Sequence, residues 1–162
     1  MNPAAAQLPA QATLAQQVQG NLQGQRDCAQ QLLGILQDER AALMTSDVSR
    51  LEQLTQTKAE AAGVLQKLGT TLQQLRSAAR VPNVDALFAT LRAAPLTALW
   101  GELLGLAEQC QRANQDNAVL LSAREAQLKQ TLRAYRPAGA PELYGRGGYA
   151  PLGLPARNFG AA

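Results

Sequence analysis

The chain contains no histidine, and that absence shapes its chemistry more than any residue present. Imidazole is the usual general base near neutral pH, a common zinc ligand and the group that activates serine or cysteine nucleophiles. What remains are twelve carboxylates and two thiols. The carboxylates fall on helical stretches beside Lys, Arg and Gln, with no cluster that could work as an acid–base pair. The thiols, Cys28 and Cys110, are far apart, and each lies inside an apolar-periodic stretch. They read as two small buried hydrophobes in a reducing compartment, with a disulfide between the first and last long helices as the alternative. Two lone thiols make no metal site. The glycine-rich run at 144–148 precedes no Lys-Ser/Thr pair and opens no helix, so it is not a phosphate cradle. The residues therefore assign no catalytic role, no cofactor and no metal, and the chain is not expected to be an enzyme.

Polar residues in apolar positions are the next candidates. Glu39 and Lys58 both stand where a leucine is expected. Either they lie at the edge of an apolar stripe and reach water through their flexible stems, or they pair with nearby opposite charges and set helix register. Asn114 and Asn117 are one turn apart, and an inward Asn117 needs partners for its amide. It can bond a neighbouring helix or contact a bound peptide.

The elements that position these residues follow from period. Val18, Leu22, Gln25, Ala29, Leu32, Leu36, Glu39 and Leu43 step by threes and fours, as do Leu51, Leu54, Lys58, Ala61, Leu65, Leu68, Leu72, Leu75 and Ala79. Each series keeps one face of an α-helix in a single direction. The break between them, Thr45-Ser46-Asp47, is long enough only to reverse the chain, and Ser46 or Asp47 can cap the second helix. Val81-Pro82-Asn83 ends that helix, because proline disfavours α geometry in the preceding residue. Residues 84–93 form a short connecting helix with Leu87, Phe88 and Leu91 inward. A further long helix runs from about residue 95 to 135 on the stripe Leu99, Leu103, Leu106, Cys110, Ala113, Asn117, Leu120, Arg124, Leu128, Thr131 and Tyr135. Its apolar character fades toward the C-terminal end.

The expected fold is all-α: a long antiparallel helical hairpin plus a third long helix, an elongated three-helix bundle with a short connecting helix and a flexible C-terminal tail. Aromatics are only 4% of the chain, and Ala, Leu and Gln dominate, which favours helix over sheet. Residues 1–12 are expected to be disordered, 13–136 to form the helical domain and 137–162 to be a Gly/Pro/aromatic tail. Gly20, Gly24 and Gly34 weaken the first helix by up to about 1 kcal/mol each. The net charge of +3 is spread among acids, so no nucleic-acid footprint is expected. With no secretory signal and no stretch of transmembrane length, the expected location is the cytoplasm.

The run Leu36-Gln37-Asp38-Glu39-Arg40-Ala41-Ala42-Leu43, then Ser46-Asp47, Leu51-Glu52-Gln53-Leu54 and Lys58-Ala59-Glu60, resembles the FlgN family of flagellar export chaperones. Asn114-Gln115-Asp116-Asn117 followed by Leu120-Leu121 adds to the resemblance, as does the tail segment Leu143-Tyr144-Gly145-Arg146-Gly147. The resemblance implies a cytosolic chaperone for the hook–filament junction proteins FlgK and FlgL. It would bind their C-terminal helical regions, prevent premature assembly and deliver them to the type III export gate protein FlhA. Contact with the membrane would then be only peripheral, through the export apparatus. A generic coiled-coil scaffold or structural interaction protein is the alternative.

Within that reading, Leu120, Leu121, Leu128, Leu132 and Tyr135 are the client-binding candidates. They place apolar groups on more than one helix face, which suits a broad core, a homodimer seam or a groove for an amphipathic helix of the client. Leu143, Tyr144, Tyr149 and Phe159 are the tail candidates for recognition of client, export gate or the chain's own helices.

Overall fold

The computed structural model describes residues 3–135 of the chain, with side chains for 11–135. The expected tail, 137–162, and its candidates Leu143, Tyr144, Tyr149 and Phe159 lie outside the described residues. Among the described residues the fold is all-helical, with α1 (Pro3–Thr45), α2 (Val48–Ala78), α3 (Val84–Leu91) and α4 (Ala94–Ala134). The chain divides into two compact units, Met1–Arg124 and Glu125–Ala162. The first holds α1 to α3 and most of α4, and the second opens with the last turns of α4.

α1 begins ahead of the expected start near Thr13. Pro3 stands at a first-turn position, which needs no N–H, and Ala4, Ala5 and Ala6 follow with the best helix propensity. The helix ends in a Schellman motif: Asp47 N–H donates to Ala42 O at 3.0 Å and Ser46 N–H to Leu43 O at 3.4 Å. Ser46 supplies the left-handed residue, at φ 58°, where glycine is the usual choice. Asp47 also caps α2, its Oδ1 accepting from Arg50 N–H at 3.0 Å. One residue thus closes α1 and opens α2, which keeps the reversal as short as the sequence predicts. The same motif ends α2, with Arg80 left-handed at φ 56° and bonds from Arg80 N–H to Ser77 O and Val81 N–H to Arg76 O. Asn83 then caps α3 through Ala86 N–H at 2.8 Å.

Within the first unit α1 and α2 run in opposite directions. Asn21 Nδ2 donates to Leu68 O at 2.9 Å, Cys28 Sγ to Ala61 O at 3.3 Å, and Arg50 meets Asp38 at 3.0 Å. α4 follows α1 in the same direction: Cys110 Sγ donates to Ala29 O at 3.4 Å, Asn117 Nδ2 to Leu36 O at 2.8 Å and Arg124 Nη2 to Met44 O at 2.8 Å. Val18, Leu22, Leu72, Leu87, Phe88, Leu96 and Leu103, drawn from all four helices, make one core, with Trp100 edge-on to Phe88 at 6.2 Å between centroids. A second cluster joins Cys28, Ile35 and Ala42 of α1 to Leu54 and Ala61 of α2. Each fully buried Leu in these clusters contributes about 1.5–3 kcal/mol. The buried residues of α4 are Leu96, Leu99, Leu103, Cys110 and Asn117, and none lies beyond Asn117.

Candidate interaction site

The polar residues singled out by their apolar positions converge in the first unit. Lys58 Nζ donates to Glu39 Oε1 at 3.1 Å and to Oε2 at 3.0 Å, joining α2 to α1. Asn117 Nδ2 reaches the same Glu39 Oε2 at 2.8 Å from α4 while also donating to Leu36 O. Glu39 and Lys58 are thus paired with each other, and their side chains are only 15% and 28% exposed. Of the two readings of these charges, pairing that ties helices together is the one observed. Asn117 is structural on its Nδ2 side. Its Oδ1 is buried and has no hydrogen-bond partner among the described residues. Leu43, Leu51 and Leu121 stand beside this node around a cavity of about 240 Å³.

A further pair of buried amides escaped the sequence reading. Asn21 and Gln25, one turn apart on α1, are both buried, and Gln25 Nε2 donates to Asn21 Oδ1 at 2.6 Å. Gln25 lay on the predicted stripe, but Asn21 did not. The available signal was its i−4 spacing from Gln25, which lets one amide satisfy the other.

The thiols of Cys28 and Cys110 are both free and buried. Each turns to a different backbone carbonyl, so no disulfide joins them. Burial pushes both thiols above their ordinary value, offset in part at Cys28 by a backbone hydrogen bond at Leu65. Neither is poised as a nucleophile, which needs a lowered value. No group of His, Cys, Asp or Glu that could hold a metal ion occurs among the described residues.

The apolar candidates of α4 separate into three environments. Leu120 is half-buried, because it continues the stripe that carries Asn117 onto α1. Leu121, one residue on, is 46% exposed and borders the cavity. Leu128, Leu132 and Tyr135 belong to the second unit and are 61%, 62% and 83% exposed. Their spacing of four and three puts all three on one helical face. A contiguous apolar face of this kind on a helix is what a partner helix would cover. Met44 and Val48, on either side of the turn, are also exposed and were not anticipated.

Among the described residues the helices are tied together by internal polar contacts, and apolar side chains near the end of α4 stay exposed, a surface suited to binding a protein partner. The comparisons with known sequences specify which kind. The family described as FlgN protein matches residues 14–151. A curated relative, the flagella synthesis protein FlgN of Proteus mirabilis, is 30% identical over 122 residues, covering 74% of this chain and 80% of the relative. No solved structure matches. The chain belongs to the FlgN family, whose members are flagellar chaperone-type proteins and not enzymes. Its role therefore lies in flagellar assembly, and its partners are flagellar proteins. Among the described residues no helix is long and apolar enough to cross a membrane.

Proposed function

We propose that this chain is a cytoplasmic chaperone that binds the C-terminal helical region of the hook–filament junction proteins FlgK and FlgL, prevents their premature assembly and delivers them to the export gate protein FlhA. The α1–α2 hairpin and the part of α4 up to Arg124, tied together in the first unit, form the supporting scaffold of this chaperone. Exposed Leu128, Leu132 and Tyr135 carry the reading, since they offer an amphipathic client helix an apolar face that no described residue covers. Leu121, at the cavity rim, is a further contact, and Leu120 supports it from its half-buried position. Leu143, Tyr144, Tyr149 and Phe159 are candidates for recognition by client or gate. The action is stoichiometric: the chaperone shields the client's assembly-prone helix and gives it up at the gate. A client segment that folds on binding loses a few kcal/mol to ordering, which keeps the complex releasable.

Co-purification with FlgK, full-length and lacking its C-terminal helical region, tests the proposal. The full-length protein should be retained by wild-type chain and lost when Leu128→Asp and Leu132→Asp are combined. Both positions are exposed, so the double variant should keep its helical circular dichroism. Retention of the truncated FlgK, or undiminished binding by the double variant, would overturn the reading. A stable homodimer sealed through the same face, with no FlgK bound, would favour a generic helical scaffold instead.

A further inference from the structure

The charge of this chain is divided unevenly between its two units. Residues 1–124 hold ten basic and ten acidic side chains, and residues 125–162 hold five and two. The entire net charge of +3 therefore belongs to the second unit. In the first unit the cations are largely satisfied. Arg26, Arg40, Arg50, Lys58 and Arg112 sit in ion pairs, while Arg76 and Arg124 donate to backbone carbonyls. In the second, Lys129 and Arg133 are exposed, and neither takes part in any ion pair or hydrogen bond among the described residues.

These cations occupy a definite place beside the apolar face. Lys129 follows Leu128 and Arg133 follows Leu132, so each lies about 100° further round the helix, on the same flank of the stripe. Arg136 follows Tyr135 in the sequence. Between residues 125 and 135 the other flank carries Gln127, Thr131 and Ala134 and has no charge. Glu125, four residues before Lys129, tempers the N-terminal end, so the positive charge concentrates toward Arg133. The face is therefore apolar along its centre, basic on one side and neutral on the other.

We infer that the partner of this face is an amphipathic protein helix carrying acidic residues along one flank of its apolar stripe and uncharged residues along the other. The inference rests on the proposed chaperone reading and adds the chemistry and orientation of the client segment to it. A helix turned end for end would bring its acids to the neutral flank, so the one-sided charge selects a direction as well as a partner. Complementary charge of this kind speeds encounter and sets register more than it adds affinity. An anionic membrane is the less suitable occupant. Each basic residue near such a surface contributes only about 1 kcal/mol, and surface anchors gather several of them on both sides of the apolar face.

The test measures binding of the full-length chain to the C-terminal helical region of FlgK by calorimetry, at about 50 and 500 mM NaCl. Wild type should bind more weakly at high salt. Lys129→Glu combined with Arg133→Glu should bind roughly tenfold more weakly than wild type at low salt, with the loss shrinking at high salt. Lys129→Arg should bind as wild type does. If wild type fails to bind, the chaperone reading falls, and this inference with it. If Leu128→Asp with Leu132→Asp abolishes binding while charge reversal and salt change nothing, the chaperone reading stands and the inference is overturned. Binding to vesicles of phosphatidylcholine and phosphatidylglycerol that the charge reversal abolishes, with client affinity unchanged, would overturn it in favour of a lipid surface.

Discussion

Substituting the two charges that link α1 to α2 should have unequal effects, and removing both should cost well under the sum of the two single changes. Lys58→Met leaves the Glu39 carboxylate, 15% exposed, with Asn117 Nδ2 as its remaining side-chain partner. A mostly buried charge stripped of its counter-ion costs about 2–3 kcal/mol here, below the 3–5 of full burial. Glu39→Leu leaves Lys58, 28% exposed on a flexible stem that can carry its ammonium to water, at about 1 kcal/mol. Combining Lys58→Met with Glu39→Leu leaves no orphaned charge between helices that already pack apolar side chains around it. That variant should lie within about 1 kcal/mol of wild type, giving a coupling of about 2 kcal/mol or more. Urea unfolding followed by far-ultraviolet circular dichroism measures all four proteins. Additivity within about 0.5 kcal/mol, or Glu39→Leu proving the more damaging single change, would refute the reasoning.

Ser46→Gly should raise stability by about 0.5–1 kcal/mol, since Ser46 holds the left-handed position at the end of α1 with a Cβ that glycine lacks; a lower thermal midpoint would contradict this. The raised thiols of Cys28 and Cys110 bear on the alkaline limit. Their native values lie above the ordinary 9.0, so the stability they contribute is fully present below that value and is lost as pH rises through the raised native values. The stability difference between wild type and Cys28→Ala with Cys110→Ala should be constant near neutrality and shrink above about pH 9. A difference that stays flat across that range would count against the assigned burial.

The parts of this fold legible in advance are those that repeat. The stripes of α1 and α2, the position of the turn, inward Leu87 and Phe88, and the fading of the α4 stripe all follow from period. What the period does not carry is pairing. Glu39 and Lys58 each stood out as misplaced, but that they meet depends on how far α2 slides along α1, which local pattern leaves open. The left-handed residues at Ser46 and Arg80 were equally hidden, because no glycine marks them and only the Schellman bonds reveal the motif. Asn21 was missed because its partners are a backbone carbonyl 47 residues away and an amide one turn on. Of the candidate site, the excess of apolar groups late in α4 was readable, but the assignment of each residue was not. Leu120 and Leu121 differ by one residue and end up half-buried and exposed, because a single step turns a side chain through about 100°.

Beside the salt bridges, five polar contacts between the helices of the first unit share a form with consequences for divergence. Asn21, Cys28, Cys110, Asn117 and Arg124 each reach across to a main-chain oxygen of a neighbouring helix, at Leu68, Ala61, Ala29, Leu36 and Met44. A carbonyl is present whatever side chain its residue bears. Each of these ties is therefore written at one position of the gene instead of two, and exchange at the accepting residue leaves the oxygen in place. Helices fastened in this way can drift in composition on the receiving side without the paired, compensating changes that a side-chain salt bridge would demand.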